Sequence, residues 1–325
     1  MPAPRRRRSR VRTGAALFVT ILALGLALML GLHRFIPDLF GLALLIESAL
    51  PWFGFAIPVL LVAALVTRSK GAVAAALIPA IVWAVTFVPA IVPLPAAEAS
   101  PAATDAADAD AAAAGTLTVA TQNVEADSGT AAESATALAA TGAQVIALQE
   151  MDADAREAVG AVLDESYPYD YGIGTVGVWS TYPIENAQAL DLGLGWQRGI
   201  AADLSTPVGL ISIYVVHAAS ALPGDHEARD TMLANLADYV PRDENSRLLM
   251  LGDFNAGSSD RTMSALTDRL SEANQTDGGF GFTWPASFPV TRPDHVLQRG
   301  MQVTANTTLR AGDSDHLAVL TTLTL

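Results

Sequence analysis

Gly252, Asp253, Phe254 and Asn255 stand at the end of the apolar run Leu248 to Leu251, and the chain nears its close on a second polar cluster, Ser314, Asp315 and His316. A strand that delivers an Asp and an Asn to its carboxyl end, with a later Asp and His brought beside them, is equipped to hydrolyse a phosphate ester with a divalent metal. Other chemically capable residues fall the same way. Asn123 follows the apolar stretch Leu117 to Gln122, Glu150 follows Val145 to Gln149, and His217 follows Leu210 to Val216. Polar side chains placed repeatedly at strand ends converge on one rim of a sheet, and such rims are where sites are built.

Taken singly, these residues have ordinary readings. A carboxylate ending an apolar strand is costly without a cation, so Glu150 is either a metal ligand or a first-turn acid of a helix after Met151. Asn at a strand end is a common turn residue, and a lone His after Val215 and Val216 is commonly a satisfied core group. His316 differs because Asp313 and Asp315 flank it, and nearby carboxylates raise an imidazole pKa and fix its tautomer. His33, His226 and His295 have no such setting and read as structural or exposed.

The elements that must position these groups alternate. Strands are expected at Leu117 to Gln122, Val145 to Gln149, Gly177 to Ser180, Ile200 to Leu204, Leu210 to Val216, Leu248 to Leu251, Asp294 to Leu297 and Leu317 to Leu323. Thr130 and Glu133 have capping-box spacing ahead of a helix to Ala140, and Ala228 to Tyr239 puts Met232, Leu233, Leu236 and Tyr239 on one helical face. Strands flanked by helices, with hairpin-length links between some of them, indicate a layered α/β domain of mixed sheets.

The first third of the chain has a different character. Gly14 to Leu32, Ser48 to Thr67 and Gly71 to Ala97 are uncharged runs long enough to cross a hydrocarbon core as helices, giving a membrane region over 14–94. Pro58 is expected to kink the second, which could instead lie at the interface. Arginines 5–8, 10 and 12 form a basic tail over 1–13, and Arg68 and Lys70 lie between the second and third runs. Basic ends stay cytoplasmic, so the expectation is a multi-pass protein of the cell membrane whose C-terminal domain lies outside the cytoplasm. The Ala, Pro, Asp and Glu of 95–115 read as a flexible tether, leaving 116–325 as one domain. There is no cysteine, which excludes disulfides, thiolate chemistry and cysteine-ligated zinc. Ten arginines and no lysine face 27 acids in 116–325, a formal charge near −17 that disfavours long polyanions such as duplex DNA.

At the quoted residues the chain resembles the endonuclease/exonuclease/phosphatase family of metal-dependent phosphoesterases. The matching stretches are TQNVE (Thr121 to Glu125), IALQEMD (Ile146 to Asp152), GVWSTYPI (Gly177 to Ile184), VVHAAS (Val215 to Ser220), LGDFNAGSSD (Leu251 to Asp260), RPDHVL (Arg292 to Leu297) and SDHLAV (Ser314 to Val319), in the family's order. The resemblance implies a four-layer α/β/β/α sandwich with one active site along the top and Mg2+ or Mn2+ as cofactor. It implies that Glu150 holds the metal with help from Asn123, and that Asp315 supports that site. Asp253 would orient or deprotonate water, and Asn255 would steady a phosphate oxygen. His316, its ring held by Asp294, would stabilise the phosphoryl group, with His217 near the leaving oxygen. The roles of Glu125 and Arg198 stay open, since Arg198 reads equally as a phosphate contact or a solvated charge. The expected substrate is a small or lipid-borne phosphoester, with an extracellular nuclease as the alternative and a non-catalytic binding domain as a third reading.

Overall fold

The computed structural model describes residues 4–92 and 115–325, with side chains from residue 11 onward. The chain divides into two units, Met1–Ile91 and Val92–Leu325. The tether expected over 95–115 lies outside the described residues except for Gly115.

The first unit is helical: α1 (Pro4–Leu32), α2 (Leu42–Ser48), α3 (Ala56–Thr67) and α4 (Lys70–Ile91). Three segments, Val11–Phe35, Leu50–Thr67 and Lys70–Ile91, are long and apolar enough to cross a membrane. Helix α1 runs from Pro4 through the arginines into the first apolar run. One expectation changes: Pro58 does not kink the second run, since it falls in the first turn of α3, where an amide hydrogen has no helical partner to lose. The irregularity lies earlier, in the 3-10 turns Leu50–Phe55, where Trp83 Nε1 of α4 donates to the Pro51 carbonyl at 3.0 Å.

Among its described residues the second unit contains twelve strands: β1 (Thr116–Asn123), β2 (Val145–Gln149), β3 (Tyr169–Ile173), β4 (Val176–Ser180), β5 (Ile184–Ala189), β6 (Gly199–Thr206), β7 (Gly209–His217), β8 (Arg247–Asp253), β9 (Ser271–Glu272), β10 (Asp294–Arg299), β11 (Gln302–Leu309) and β12 (Ala318–Thr324). Its helices are α5 (Ala131–Ala139), α6 (Ala153–Leu163), α7 (Glu227–Tyr239) and the single turn α8 (Ser264–Thr267). One sheet runs β11-β12-β1-β2-β4-β3 and the other β5-β6-β7-β8-β10-β9. The pairs β1 with β2 and β7 with β8 are parallel, and the other pairs are antiparallel.

Side-chain alternation along the central strands builds the layers. Val119, Val145, Ala147 and Val178 meet Ile213, Val215, Leu249, Leu251 and Val296 between the sheets. On the outer face of the first sheet, Ala120, Ile146, Leu148 and Trp179 pack on Ala135, Leu138, Val159 and Leu163 of α5 and α6. Tyr214, Val216, Leu248 and Met250 likewise pack on Met232, Leu233 and Leu236 of α7. The result is the four-layer α/β/β/α sandwich, because each central strand has two apolar faces to cover. The capping box is not realised. Thr130 precedes α5 without a side-chain cap bond, its hydroxyl instead donating to Ser128 Oγ and accepting from the Asp313 amide.

One buried ion group fastens β9 to β10. Glu272 Oε1 lies 2.6 Å from His295 Nδ1 and 3.3 Å from Arg292 Nη1, while His295 Nε2 faces the Ala256 carbonyl at 2.8 Å. Burial alone would raise the Glu272 pKa, but Arg292 and His295 outweigh it and hold the carboxyl at about 2. A carboxyl depressed on folding stabilises the fold above its unfolded value and loses that contribution as pH falls towards its folded value. The contribution is about 3 kcal/mol near neutrality. Thermal unfolding of the detergent-solubilised chain should therefore show Glu272→Gln well below the parent at pH 6, with the gap closing by pH 2.5. A gap independent of pH would show that the carboxylate's charge is not what holds β9.

Candidate active site

The site grows out of the inter-sheet core. Inward-facing stripes read Val119, Thr121, Asn123 on β1, Ile213, Val215, His217 on β7 and Leu249, Leu251, Asp253 on β8, so β7 and β8 turn polar at their last position and β1 over its last two. Strand register then sets these ends side by side: Asp253 pairs with His217 across the parallel β7 and with Asp294 across the antiparallel β10. From the other sheet, Asn123 Nδ2 donates to Asp253 Oδ2 at 3.0 Å, bridging the two sheets at the rim.

Gly252 makes this register possible. Its φ is +136°, and a Cβ there would lie 2.0 Å from the Val216 carbonyl oxygen, so no other residue fits between β7 and β8. Three non-glycine residues of the site also take left-handed backbone: Glu125 (φ 58°), Glu150 (φ 62°) and Asn255 (φ 49°). Such conformations are strained and gather where function over-determines the backbone. The Asn255 turn is closed by its own amide, which donates to Asp253 Oδ1 at 2.8 Å.

Glu150 is not a helix cap. Asp152 caps α6 by accepting from the Ala155 amide at 2.7 Å, which leaves Glu150 to the site. Its Oε1 lies 3.3 Å from His217 Nε2, and its Oε2 accepts from the Ala126 amide at 3.1 Å. The His217 contact, opposed by burial and aided by Asn123 and Ala126, holds the Glu150 carboxyl at about 2. Asp253 behaves oppositely: burial, with repulsion from Asp294, pushes its pKa up despite His316, His217 and Asn123.

His316 Nδ1 lies 2.8 Å from Asp294 Oδ2, which also accepts from Thr283 Oγ1 at 2.5 Å. Burial of the ring opposes its charge, but Asp294, Asp253 and Asp315 outweigh burial and raise the His316 pKa to about 10. When protonated, the ring carries one hydrogen on Nδ1, facing Asp294, and a second on Nε2, 3.9 Å from Asp315 Oδ1.

Asp253 belongs to two tight groups of possible ligands, Glu150 with His217 and Asp253, and Asp253 with Asp294 and His316. In addition, Asp294 Oδ1 is buried without a hydrogen-bond partner. Carboxylates crowded into a rim, one raised in pKa by burial and by its neighbour and one with an orphan oxygen, fit a hard divalent cation. Glu150 beside Asp253 in the first group, or Asp294 beside Asp253 in the second, could supply its oxygens. Asp315 belongs to neither group. Its Oδ2 accepts from Trp284 Nε1 at 2.9 Å, and its Oδ1 is 3.9 Å from His316 Nε2. The Asn123 amide oxygen accepts from the Glu125 amide at 2.9 Å, so Asn123 contributes first through its donors to Asp253 and Glu150.

Arg198, left open by its sequence setting, is drawn into the site. Its Nη2 lies 2.7 Å from His217 Nδ1 and 2.6 Å from Nε2, and Trp196 stacks 4.6 Å from its guanidinium. Burial lowers the Arg198 pKa, while Glu150 and Asp253 oppose that shift. A guanidinium can only donate, so the geometry suits a His217 that accepts from Arg198 and donates to Glu150.

Four positioning contacts escaped the motif reading. Arg229 of α7, almost wholly buried, donates from Nη1 to the Asn255 carbonyl and to Asp260 Oδ2, both at 2.8 Å. Ser314 Oγ donates to the Asn123 carbonyl at 2.6 Å and accepts from the His316 amide at 3.0 Å. Thr283 steadies Asp294, and Trp284 steadies Asp315. Ser314 stands in the polar cluster read with Asp315 and His316; of the other three, only Arg229 left a trace in sequence, lying three and four positions before Met232 and Leu233 on the apolar face of its helix.

A family model described as the endonuclease/exonuclease/phosphatase family matches residues 120–316. The chain belongs to that family, and it is an ester-bond hydrolase that works with a divalent metal. Among solved structures it is similar to a mannosyl-6-phosphatase of Bacteroides thetaiotaomicron, at 16% identity and TM-score 0.55, over 64% of this chain and 100% of that one. It is also similar to D. rerio TDP2 complexed with a single-strand DNA product, at 13% identity and TM-score 0.55, over 65% and 99%. Beta toxin of Staphylococcus aureus matches at 13% identity and TM-score 0.50, over 63% and 99%. These likenesses establish the fold. No match was found among curated proteins.

Asp294→Asn removes the carboxylate that most favours the His316 imidazolium, so the imidazolium should lose its proton at lower pH. In the magnesium-loaded enzyme the alkaline limb of the pH–kcat profile is expected to move down by at least about one unit. An unmoved limb would mean that His316 does not work as the protonated partner.

Proposed function

We propose that this chain is a membrane-anchored, Mg2+- or Mn2+-dependent phosphoesterase acting on a small or lipid-borne phosphodiester or phosphomonoester outside the cytoplasm. The observation that carries the reading is the sharing of Asp253 between the Glu150 and His217 group and the Asp294 and His316 group, a crowding that supports a base, a cation and an acid acting on one phosphate. When bound, the cation supplies charge neutralisation for a phosphate that would otherwise repel an attacking oxygen.

The protein's own groups divide the remaining work. Asp253, where the cation leaves it unbound, would orient the attacking water or take its proton, and burial beside Asp294 favours its protonated form. Asn255 Nδ2 donates to the Ala218 carbonyl at 3.0 Å and to Asp253 Oδ2 at 3.4 Å, and its second hydrogen would turn from Asp253 to a phosphate oxygen. Arg198 and the Nε2 proton of His316 are donors for the charge that develops on the phosphoryl oxygens. His217, between Glu150 and Arg198, stands on the side where a leaving oxygen would depart, and Asp315 keeps the chain ahead of His316 in place by accepting from Trp284.

Membrane anchoring is supported by the three long apolar helices, and the outward orientation by the arginine-rich start and by Arg68 and Lys70 between α3 and α4. The formal charge near −17 on 116–325 favours compact or uncharged-surface substrates over duplex DNA.

The test is a substrate panel on the full chain in detergent micelles with magnesium or manganese, including sugar phosphates, phospholipids and plasmid. Turnover of a small or lipid phosphoester should disappear with chelator and fall roughly 10³-fold in Asp253→Ala. Salt-sensitive plasmid nicking, with every small and lipid substrate inert, would replace this reading with a nuclease.

A further inference from the structure

Among its described residues the catalytic unit exposes six large apolar side chains: Tyr169, Trp196, Leu210, Leu222, Trp284 and Phe288. Isolated exposed hydrophobics are ordinary, but these are not scattered evenly. Tyr169 opens β3 and Leu210 lies near the start of β7, at the end of the sheets away from the site. The other four lie at the catalytic end.

Two of the four touch residues that line the site. Trp196 stacks on Arg198, which reaches His217, while Trp284 donates to Asp315 beside His316. The two indoles therefore flank the cation site on opposite sides, and both stay substantially exposed, at 53% and 41%. Phe288 belongs to the Trp284 loop, whose Ala286 amide donates to the Asp315 carbonyl, and it is 73% exposed. Leu222, 61% exposed, lies in the segment that leads from His217 to α7.

An indole or phenyl ring held in water beside a polar site prefers a boundary where one end is apolar and the other wet. Three kinds of surface could offer apolar contact: nucleic acid, protein and lipid. The charge near −17 opposes the first. The third is always at hand, because the same chain carries three helices able to cross a membrane. The stretch 93–114 that joins them to this unit can span at most roughly 75 Å in any conformation.

We propose that the rim made by Trp196, Leu222, Trp284 and Phe288 seats on a lipid surface, so that the site meets its phosphoester at headgroup depth. This rests on the phosphoesterase reading only for its substrate; the docking itself is a separate property. The acidic surface selects a zwitterionic or uncharged bilayer, and added anionic lipid weakens the contact.

The absence of cysteine allows a test that does not depend on turnover. Phe288→Cys, Leu222→Cys and, as the remote control, Leu210→Cys each receive a single environment-sensitive fluorophore in the full chain, reconstituted into phosphatidylcholine vesicles. Nitroxide-bearing lipid should quench the labels at 288 and 222 several-fold more than the label at 210, with a blue shift at the first two. Phosphatidylglycerol added to the vesicles should reduce that difference. Equal quenching at all three positions, or a rim label shielded by single-stranded DNA but not by lipid, would overturn the proposal. Lipid turnover without rim quenching would leave the activity standing and remove the docking. Rim quenching with no phosphoester turned over would do the reverse.

Discussion

Two carboxylates, Asp253 and Asp294, sit at the same register on neighbouring strands in a nearly dry rim, and the rest of the site follows from that crowding. Side-by-side buried acids cannot both stay ionised without compensation. The protein supplies part of it through His316, clasped by Asp294, and through the Asn123 amide that crosses from the other sheet. The orphan oxygen of Asp294 and the raised pKa of Asp253 mark what remains for a cation to neutralise. The same shortage of positive charge that makes the rim costly as bare protein makes it a metal-dependent catalyst.

Holding such groups in place requires support that contributes no chemistry itself. Gly252 admits the Val216 carbonyl, and the left-handed turns at Glu150 and Asn255 swing their side chains back over the strand ends. Behind them, buried Arg229 grips the Asn255 carbonyl and Asp260 together. A buried guanidinium is tolerable only because both a carboxylate and a carbonyl satisfy it. The α7 face that covers the second sheet therefore also fixes the loop after β8, tying core packing to catalytic geometry.

The strands that pattern reasoning found and those it missed divide on physical grounds. The eight found, β1, β2, β4, β6, β7, β8, β10 and β12, are interior to the two sheets, and burial on both faces demands runs of Val, Ile and Leu. The four missed, β3, β5, β9 and β11, are the four sheet edges. Tyr169 to Ile173, Ile184 to Ala189 and Gln302 to Leu309 bury little, so no apolar period marks them. The Thr130 capping box misled for a related reason: its spacing is local, whereas the Thr130 hydroxyl is claimed by the Asp313 amide from the far end of the chain.

For the site, residue type and position at strand ends gathered Asn123, Glu150, His217, Asp253, Asn255, Asp315 and His316 towards one rim, because a polar group ending an apolar strand tends to lie there, while Asp294 entered only through the family resemblance. Which partner each would take was decided by pairing across the sheets. Arg198 looked like any exposed arginine until β6 and β7 put it against His217, and Asp315, which the resemblance set beside the metal, gives one carboxylate oxygen to Trp284. Local sequence sets which side chains a strand end presents, since the two-residue period is intrinsic to the backbone. Register and layer stacking, which join residues far apart in the chain, decide what those side chains touch.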